Sequence, residues 1–215
     1  VSGHILRRGL RRSVRIVQGL DENRQLHPRS LIHLVSCTPD FISMWVKSKE
    51  SGEIEDFSEA MKFNKLLTLE ELNEVEIPTD IENENMRIKA LCVLEEWMEE
   101  KSMREIEAKF DAHPGDVRTR VELAEWLLYS SRRMLALDEE VMGEASEAAS
   151  IVSEYISETQ RRIRYGCKAD ILGLVAIRNV GRVRAREMKG IGLESIYDVS
   201  EMGPRDRAKL EGIRG

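Results

Sequence analysis

The apolar residues between positions 117 and 135 recur at the period of an α-helix, and this pattern constrains the fold more than any other stretch. At 3.6 residues per turn, five of them share one face: Val117, Val121, Ala124, Leu128 and Leu135. Pro114-Gly115 is expected to close the preceding element. Asp116 is a suitable N-cap, because a carboxylate accepts hydrogen bonds from the free amides of a first turn. The stretch therefore predicts a long helix with one buried face.

The opposite face of this helix carries a tryptophan, which is unusual on a polar surface. Its residues are Thr119, Glu122, Trp126 and Arg133. An exposed indole can stack on a nucleic-acid base, and a cationic neighbour suits such a ligand. Alternatively, Trp126 packs against another helix, as in a large all-α domain whose helices are buried on two sides. The stretch alone leaves both interpretations open.

The remainder of the chain is also patterned as helices, and no stretch shows strand alternation or an Asn-Gly hairpin. We expect an all-α fold, with a multi-helix bundle over residues 1–166 and a small C-terminal helix-hairpin-helix domain over residues 167–215. The predicted helices cover residues 4–18, 28–37, 54–75, 88–101, 103–110 and 117–165. Within 54–75 the core candidates include Leu66, Leu67, Leu69 and Leu72.

Two connections carry specific expectations. Thr38 is a plausible N-cap with Pro39 at the first helical position, which predicts a buried helix through Phe41 and Trp45 that ends at Gly52. Residues 76–85 contain Pro78 and several acids, which predicts a solvated loop.

Composition excludes several classes of protein. The chain has 215 residues and a formal net charge of −6, and it contains neither an apolar run long enough to span a membrane nor a signal peptide. Cys37, Cys92 and Cys167 follow no metal spacing, so we expect three buried thiols. We therefore expect a cytoplasmic protein with no membrane partner. Because the first residue is valine, we also expect a fragment or a processed product.

Charge is distributed unevenly. Residues 1–20 hold five arginines and no acid, which predicts either a phosphate-facing helix or a solvated basic face. Residues 50–85 hold twelve acids and two lysines, whereas residues 161–190 hold nine basic residues and two acids. Such segregation matters more for electrostatic recognition than the net charge does.

The basic stretch contains a predicted turn between two helices. Asn179 tolerates the left-handed region, Gly181 permits close backbone approach, and Val180 can fill the gap between the helices. The amides that open the second helix then form an anion site, which Arg182, Arg184 and Arg186 would surround with positive charge. This pattern resembles the helix-hairpin-helix motif of DNA repair proteins, with Asn179 in place of the motif's first glycine. The alternative is a helical hairpin whose arginines lie in water.

Four segments carry a wider resemblance. They are residues 34–40, 114–127, 164–166 and 182–186, and they occur in the order and spacing of the archaeal Ski2-type DNA helicases linked to stalled forks and Holliday junctions. The resemblance implies a helical bundle, called the ratchet domain, followed by a small helix-loop-helix domain. It further implies that the bundle closes a ring over two motor domains through which single-stranded DNA passes.

The resemblance also implies residue roles. One long helix of the bundle stacks bases with an arginine and a tryptophan seven residues apart, and Trp126 fits the tryptophan. Thr119 occupies the arginine position, so the flanking Arg118 or Arg120 is expected to replace it. The implied DNA-binding residues are thus Arg118, Thr119, Arg120, Glu122, Trp126 and Arg133 on the long helix, and Asn179, Val180, Gly181, Arg182, Arg184 and Arg186 in the hairpin.

The sequence contains no phosphate-binding loop, no ATPase motif, no zinc cluster and no catalytic triad. We therefore expect no catalytic or metal site and no cofactor in this chain, with ATP and Mg²⁺ bound by motor domains that lie upstream. The expected partners are single-stranded or branched DNA and those motor domains, and the expected state is a monomer. Two other functions stay open: a stand-alone helix-hairpin-helix module for duplex or junction DNA, and a helical adaptor that docks proteins on residues 50–85.

Overall fold

The computed structural model describes residues 1–21, 25–64, 81–201 and 203, and these residues form eleven α-helices, one 3-10 turn and no strand. The prediction of an all-α fold is confirmed. The helices are α1 (Ser2–Val17), α2 (Pro28–Ser36), α3 (Ser51–Phe63), α4 (Ile81–Met98), α5 (Met103–Phe110), α6 (Pro114–Ala136), α7 (Glu139–Glu144), α8 (Ser146–Tyr165), α9 (Leu172–Val175), α10 (Arg182–Gly190) and α11 (Ile196–Ser200), and the 3-10 turn is Ala169–Ile171.

Helices α6 and α8 form the centre of the bundle. They run antiparallel, since Arg132 of α6 lies beside Ser157 of α8 and Glu125 lies beside Arg164. Helices α1, α2 and α4 pack around this pair. A hydrophobic cluster extends from Ile5 to Ile163, and a second, smaller cluster extends from Cys167 to Leu193. The division into two domains at residue 166 stays a prediction.

The long central helix begins three residues earlier than expected. Pro114 and Gly115 lie in its first turn, and His113 is the N-cap. Asp116 is therefore not the N-cap; it is the third helical residue, and its carboxylate accepts a hydrogen bond from the His113 amide at 3.2 Å. Proline suits the first position because its missing N–H would have had no partner within the helix. The Asp116 carboxylate thus accepts a backbone hydrogen bond at the start of the helix, as expected, but it does so from the third helical position and not from the N-cap.

The predicted helix after Thr38 is wrong. Thr38 closes α2 instead, because its hydroxyl donates to the Val35 carbonyl at 2.8 Å. Residues 38–50 form turns and irregular backbone, and Gly52 lies inside α3 rather than ending a helix. The loop is held by tertiary contacts: the Met44 amide donates to the Met86 carbonyl, and Lys89 donates to the Trp45 carbonyl. Phe41 is buried as expected, but Trp45 is 69% exposed.

Other boundaries differ by smaller amounts. Helix α4 begins at Ile81, inside the expected acidic loop, and short breaks at Leu137 and Ala145 divide the predicted continuous helix into α6, α7 and α8. Gly166 ends α8 as expected, with a left-handed φ of 61°. The core candidates Leu66, Leu67, Leu69 and Leu72 lie outside the described residues.

All three cysteines are free and buried, as predicted. Within the described ranges, no helix combines the length and the apolar character needed to cross a bilayer.

Candidate nucleic-acid interface

The outer face of α6 presents an exposed tryptophan. The buried side of this helix is lined by Val117, Arg120, Ala124, Leu127, Leu128, Ser131 and Leu135. Trp126 lies on the opposite side and is 53% exposed, so the interpretation of this residue as core is wrong. Val121, which the period placed in the core stripe, is partly buried against the same cluster. The indole is therefore held by a rigid, well-packed helix and is accessible to a ligand.

Exposed residues extend along the same face. Arg133 follows Trp126 by seven residues, or about 10.5 Å along the axis, and is exposed. That separation corresponds to about three nucleotides at roughly 3.4 Å each. Glu122 is also exposed and accepts a hydrogen bond from Arg118 at 2.8 Å, which raises the pKa of Arg118. The face thus carries a cation before and after the indole.

The two arginines beside Thr119 have different environments. The Arg118 side chain is 80% exposed, whereas the whole of Arg120 is 9% exposed. Arg120 donates to the Ser43 carbonyl at 3.0 Å and lies 3.3 Å from the Asp116 carboxylate. Arg120 is therefore not accessible to DNA in this structure, because its guanidinium anchors the 38–50 loop. Thr119 is half-buried and donates to the Gly115 carbonyl at 3.0 Å, so Arg118 is the accessible cation at this end of α6.

Sequence reasoning did not single out Tyr129. It lies one turn after Trp126 and is 49% exposed. The separation of three residues places the two rings side by side on one helix surface. The signal in the sequence that could have identified Tyr129 is its position three residues after a tryptophan that faces outward.

The hairpin between α9 and α10 has part of the predicted geometry. Asn179 has a φ of 65°, so it adopts the expected left-handed conformation. Val180 packs against the second hydrophobic cluster. Gly181 has an ordinary φ of −85° and is the N-cap of α10, and a Cβ there would contact nothing within 4 Å. No described protein atom thus approaches Gly181 closely, and close approach of a ligand to its backbone stays a prediction. A shallow depression of about 440 Å³ borders the turn, lined by Tyr165, Val175, Ala176, Ile177, Arg178, Asn179, Val180 and Gly181.

The three arginines of α10 do not form the expected ring around the helix terminus. Arg182 points back to the bundle, where it donates to the carbonyls of Trp97, Gly166 and Lys101 at 2.9–3.2 Å. Its burial lowers the pKa of its guanidinium. Arg184 donates to the Asn179 carbonyl at 2.6 Å and so rigidifies the turn.

Arg186 is held by two carboxylates. It contacts Glu100 of the bundle and binds Asp170 through two hydrogen bonds of 2.7 and 2.9 Å. Hydrogen bonding to Arg186 lowers the pKa of Asp170 to about 2, and the two carboxylates together raise the pKa of Arg186. Glu100 adopts a left-handed φ of 67° and also accepts from the Lys168 amide at 3.1 Å. Arg182 and Arg186 therefore attach the hairpin to the bundle. Of the three arginines of α10, Arg184 lies beside the turn.

The basic and acidic segments are also partly paired within the molecule. In α1, Arg11 binds Asp138 and Arg12 binds Asp21, both at 2.9–3.0 Å, whereas Arg7, Arg8 and Arg15 are exposed. In the acidic segment, Glu50 is buried with Lys89 at 2.7 Å. Within the predicted 76–85 loop, Glu84 pairs with the buried His33 at 3.1 Å, so this described position is not the solvated one that was expected. Among the described residues, no group of His, Cys, Asp and Glu side chains is arranged to hold a metal ion.

Comparison with known proteins gives consistent results. Residues 29–166 match the sequence family described as archaeal helicase, domain 4. Similar proteins include the ATP-dependent DNA helicase Hel308 of Pyrococcus abyssi, 27% identical over 87% of this chain and 24% of that protein. The Hel308 of Caldivirga maquilingensis is 28% identical over 99% of this chain and 26% of that protein. The Hel308 of Thermoplasma acidophilum is 36% identical over 56% of this chain and 16% of that protein. The chain thus spans about a quarter or less of the length of these relatives.

Proposed function

Because this chain belongs to the archaeal helicase domain 4 family, which confirms its resemblance to archaeal Ski2-type DNA helicases, we propose that it guides single-stranded DNA in an ATP-dependent DNA helicase. In this proposal α6 is the ratchet helix, and the hairpin between α9 and α10 is a second, helix-hairpin-helix contact with DNA. The parent enzyme acts in replication-fork repair and recombination. The chain works as a monomer beside the motor domains.

The observation that carries this proposal is the position of Trp126. Trp126 is 53% exposed on the side of the helix opposite its core, and Tyr129 is 49% exposed one turn later, so the two rings offer an accessible aromatic surface on which bases can stack. Stacking on an indole is tolerant of sequence because every base has a π-face, and it contributes about 1–3 kcal/mol per base. A helicase must bind every base it passes, so this kind of contact suits its task.

The mechanism follows from the size of that energy. The motor moves the 3′-ended strand along α6, and Trp126 holds one base after another. A contact of about 1–3 kcal/mol impedes backward movement and is still weak enough to release in each cycle. Arg118 and Arg133, one on each side of Trp126, attract the phosphates. We place ATP hydrolysis and its Mg²⁺ in motor domains upstream of this chain.

The hairpin is the second part of the proposal. Its turn is rigid, because Arg184 holds the Asn179 carbonyl at 2.6 Å, and Arg182 and Arg186 tie it to the bundle. A contact fixed in this way can grip the exiting strand and slow the motor, and it can distinguish branched from linear DNA. The same attachment disfavours a stand-alone hairpin module, which would have its arginines free.

The adaptor function has less support. Its docking surface would lie on residues 50–85, where Glu50 pairs with Lys89 and Glu84 pairs with His33 inside the bundle. Residues 65–80 of that segment lie outside the described part of the chain.

The test is fluorescence-anisotropy binding of a single-stranded oligonucleotide to the intact chain over a salt series. Trp126→Ala should reduce affinity by about tenfold, the equivalent of about 1.4 kcal/mol of stacking, and should leave thermal stability nearly unchanged. Trp45→Ala is the matched control, since it removes an exposed tryptophan that lies in the 38–50 loop and not on α6. Equal affinities for the wild type and Trp126→Ala, or a loss of stability with unchanged affinity, would contradict the proposal.

A further inference from the structure

Two exposed arginines near the end of α8 contact the neighbouring helices α6 and α9. The Arg164 side chain is 60% exposed, and its Nη1 atom is 3.5 Å from Oε1 of Glu125, the residue before Trp126. Arg161 is exposed, and its Nη2 atom donates to the Leu172 carbonyl at the start of α9 at 2.9 Å. Both lie on the last turns of α8, where one guanidinium contacts α6 and the other contacts α9.

The exposed aromatic residues of α6 begin with Trp126. Tyr129 follows it by three residues, which is about 4.5 Å along the helix axis. That distance is comparable to the rise of one nucleotide, about 3.4 Å. Two exposed rings at this spacing can contact neighbouring bases, while the arginines on the adjacent helix lie on the side where the backbone would run.

The contact of Arg164 with Glu125 is easily exchanged. A single ion pair at 3.5 Å between an exposed arginine and a half-buried glutamate at the surface contributes about 1 kcal/mol. A phosphate offers the same charge as the carboxylate and can accept two parallel hydrogen bonds from a guanidinium. Replacing Glu125 by a phosphate as the partner of Arg164 therefore costs little, and Glu125 competes with the ligand until that exchange occurs.

We infer that Arg164 and Arg161 bind successive backbone phosphates of a DNA strand whose bases stack on Trp126 and Tyr129. This inference rests on the proposed function of Trp126. It gives α8 a role in holding the phosphate backbone of the strand, in addition to the stacking role of α6.

The experiment measures binding of a single-stranded thymidine oligonucleotide to the intact chain as a function of salt. Each phosphate contact on a single strand contributes about 0.7 to the slope of log affinity against log salt concentration. The double variant Arg161→Gln/Arg164→Gln should lower that slope by about 1.4, which corresponds to about 25-fold weaker binding at 0.1 M salt. Glu125→Gln should strengthen binding, because it releases Arg164 for the phosphate.

The control is Lys62→Gln, which removes one exposed positive charge from α3, a helix that packs on α4. Its slope should equal that of the wild type. If the double variant is poorly folded by thermal melting, Arg164→Gln alone removes a surface side chain and should lower the slope by about 0.7.

The outcomes separate the two proposals. Loss of affinity in Trp126→Ala with wild-type affinity and slope in the arginine variants would overturn the role of α8 and leave the stacking function intact. Unchanged affinity in Trp126→Ala would overturn the proposed function itself. A decrease in affinity for Glu125→Gln would show that the Glu125–Arg164 pair is structural and would also overturn the role of α8.

Discussion

The guanidinium of Arg182 lies 4.0 Å from the centroid of the Trp97 ring. Arg182 comes from the first turn of α10 and Trp97 from the last turn of α4, so this contact joins the hairpin to the bundle. The indole Nε1 of Trp97 in turn donates to the Ile163 carbonyl of α8 at 2.8 Å. One tryptophan thus connects three helices, and an arginine that the motif predicted to face a phosphate stabilises the fold instead.

Arg182→Ala should destabilise the protein by about 2–3 kcal/mol. The substitution removes a cation–π contact of about 2 kcal/mol when desolvated and leaves carbonyl groups without donors. Thermal or urea denaturation measures the loss. Arg184→Ala is the control and should cost less than about 1 kcal/mol, because Arg184 donates within its own hairpin. Wild-type stability with weaker DNA binding in Arg182→Ala would instead assign this arginine to the ligand.

Gly166→Ala should lower stability by more than about 1 kcal/mol, because two effects add. Residue 166 has a φ of 61°, which costs any residue with a Cβ about 1 kcal/mol or more, and the added Cβ would overlap the Trp97 ring. Gly143→Ala is the matched control, since Gly143 lies within α7 and a Cβ there contacts nothing within 4 Å. Its helix propensity should raise stability by about 0.5–1 kcal/mol. Equal melting temperatures for the two variants would contradict this account of Gly166.

Arg118→Ala should affect DNA binding, whereas Arg120→Ala should affect stability. Arg118 is exposed and pairs only with Glu122 among the described contacts, so its loss should change stability by less than about 1 kcal/mol and should weaken binding of single-stranded DNA. Arg120 holds the Ser43 carbonyl, so its loss should destabilise the protein by about 1–3 kcal/mol. Urea denaturation and anisotropy on both variants check the pair. Weaker DNA binding by a fully folded Arg120→Ala variant would contradict the assignment of Arg120 to the fold and assign it to DNA binding.

Stability should fall at both ends of the pH range because of one buried ion pair. Nε2 of His33 lies 3.1 Å from Oε1 of Glu84. Burial opposes ionisation of both groups, but contacts with Cys37 and Glu84 raise the pKa of His33 to about 10, and contacts with His33 and Arg87 lower the pKa of Glu84 to about 2.

The sign of each effect follows from these directions. On acidification the unfolded chain protonates Glu84 first, near its ordinary pKa of 4.5, so its contribution is lost between about pH 4.5 and pH 2. At high pH the unfolded chain loses the His33 proton first, near 6.5, so that contribution is lost between about pH 6.5 and pH 10. Urea denaturation across this pH range measures the loss of stability on the acidic and on the alkaline side. Glu84→Gln should reduce the dependence of the free energy of unfolding on pH on the acidic side. An unchanged dependence there would show that other carboxylates are responsible.

The features that sequence alone determined are local ones. The period of apolar residues on α6 placed Trp126 opposite the core, and the predicted helix boundaries at residues 103 and 165 coincide with the start of α5 and the end of α8. Asn179 was correctly assigned to the left-handed region. In each case the decisive interaction lies within about one turn of the chain, so residue type and spacing are sufficient to predict it.

The tertiary structure alone decided which arginines are free. Arg120, Arg182 and Arg186 looked equivalent to Arg118 and Arg184 in the sequence, but their partners lie 77, 85 and 86 residues away. The same holds for residues 38–50, where a plausible capping sequence is overridden by hydrogen bonds to α4 and α6. A long, flexible, charged side chain can reach partners in many directions, and its choice depends on which distant carbonyls and carboxylates the packed helices bring near it. Helical period sets the direction of a side chain from its own axis, whereas only packing sets what it meets there.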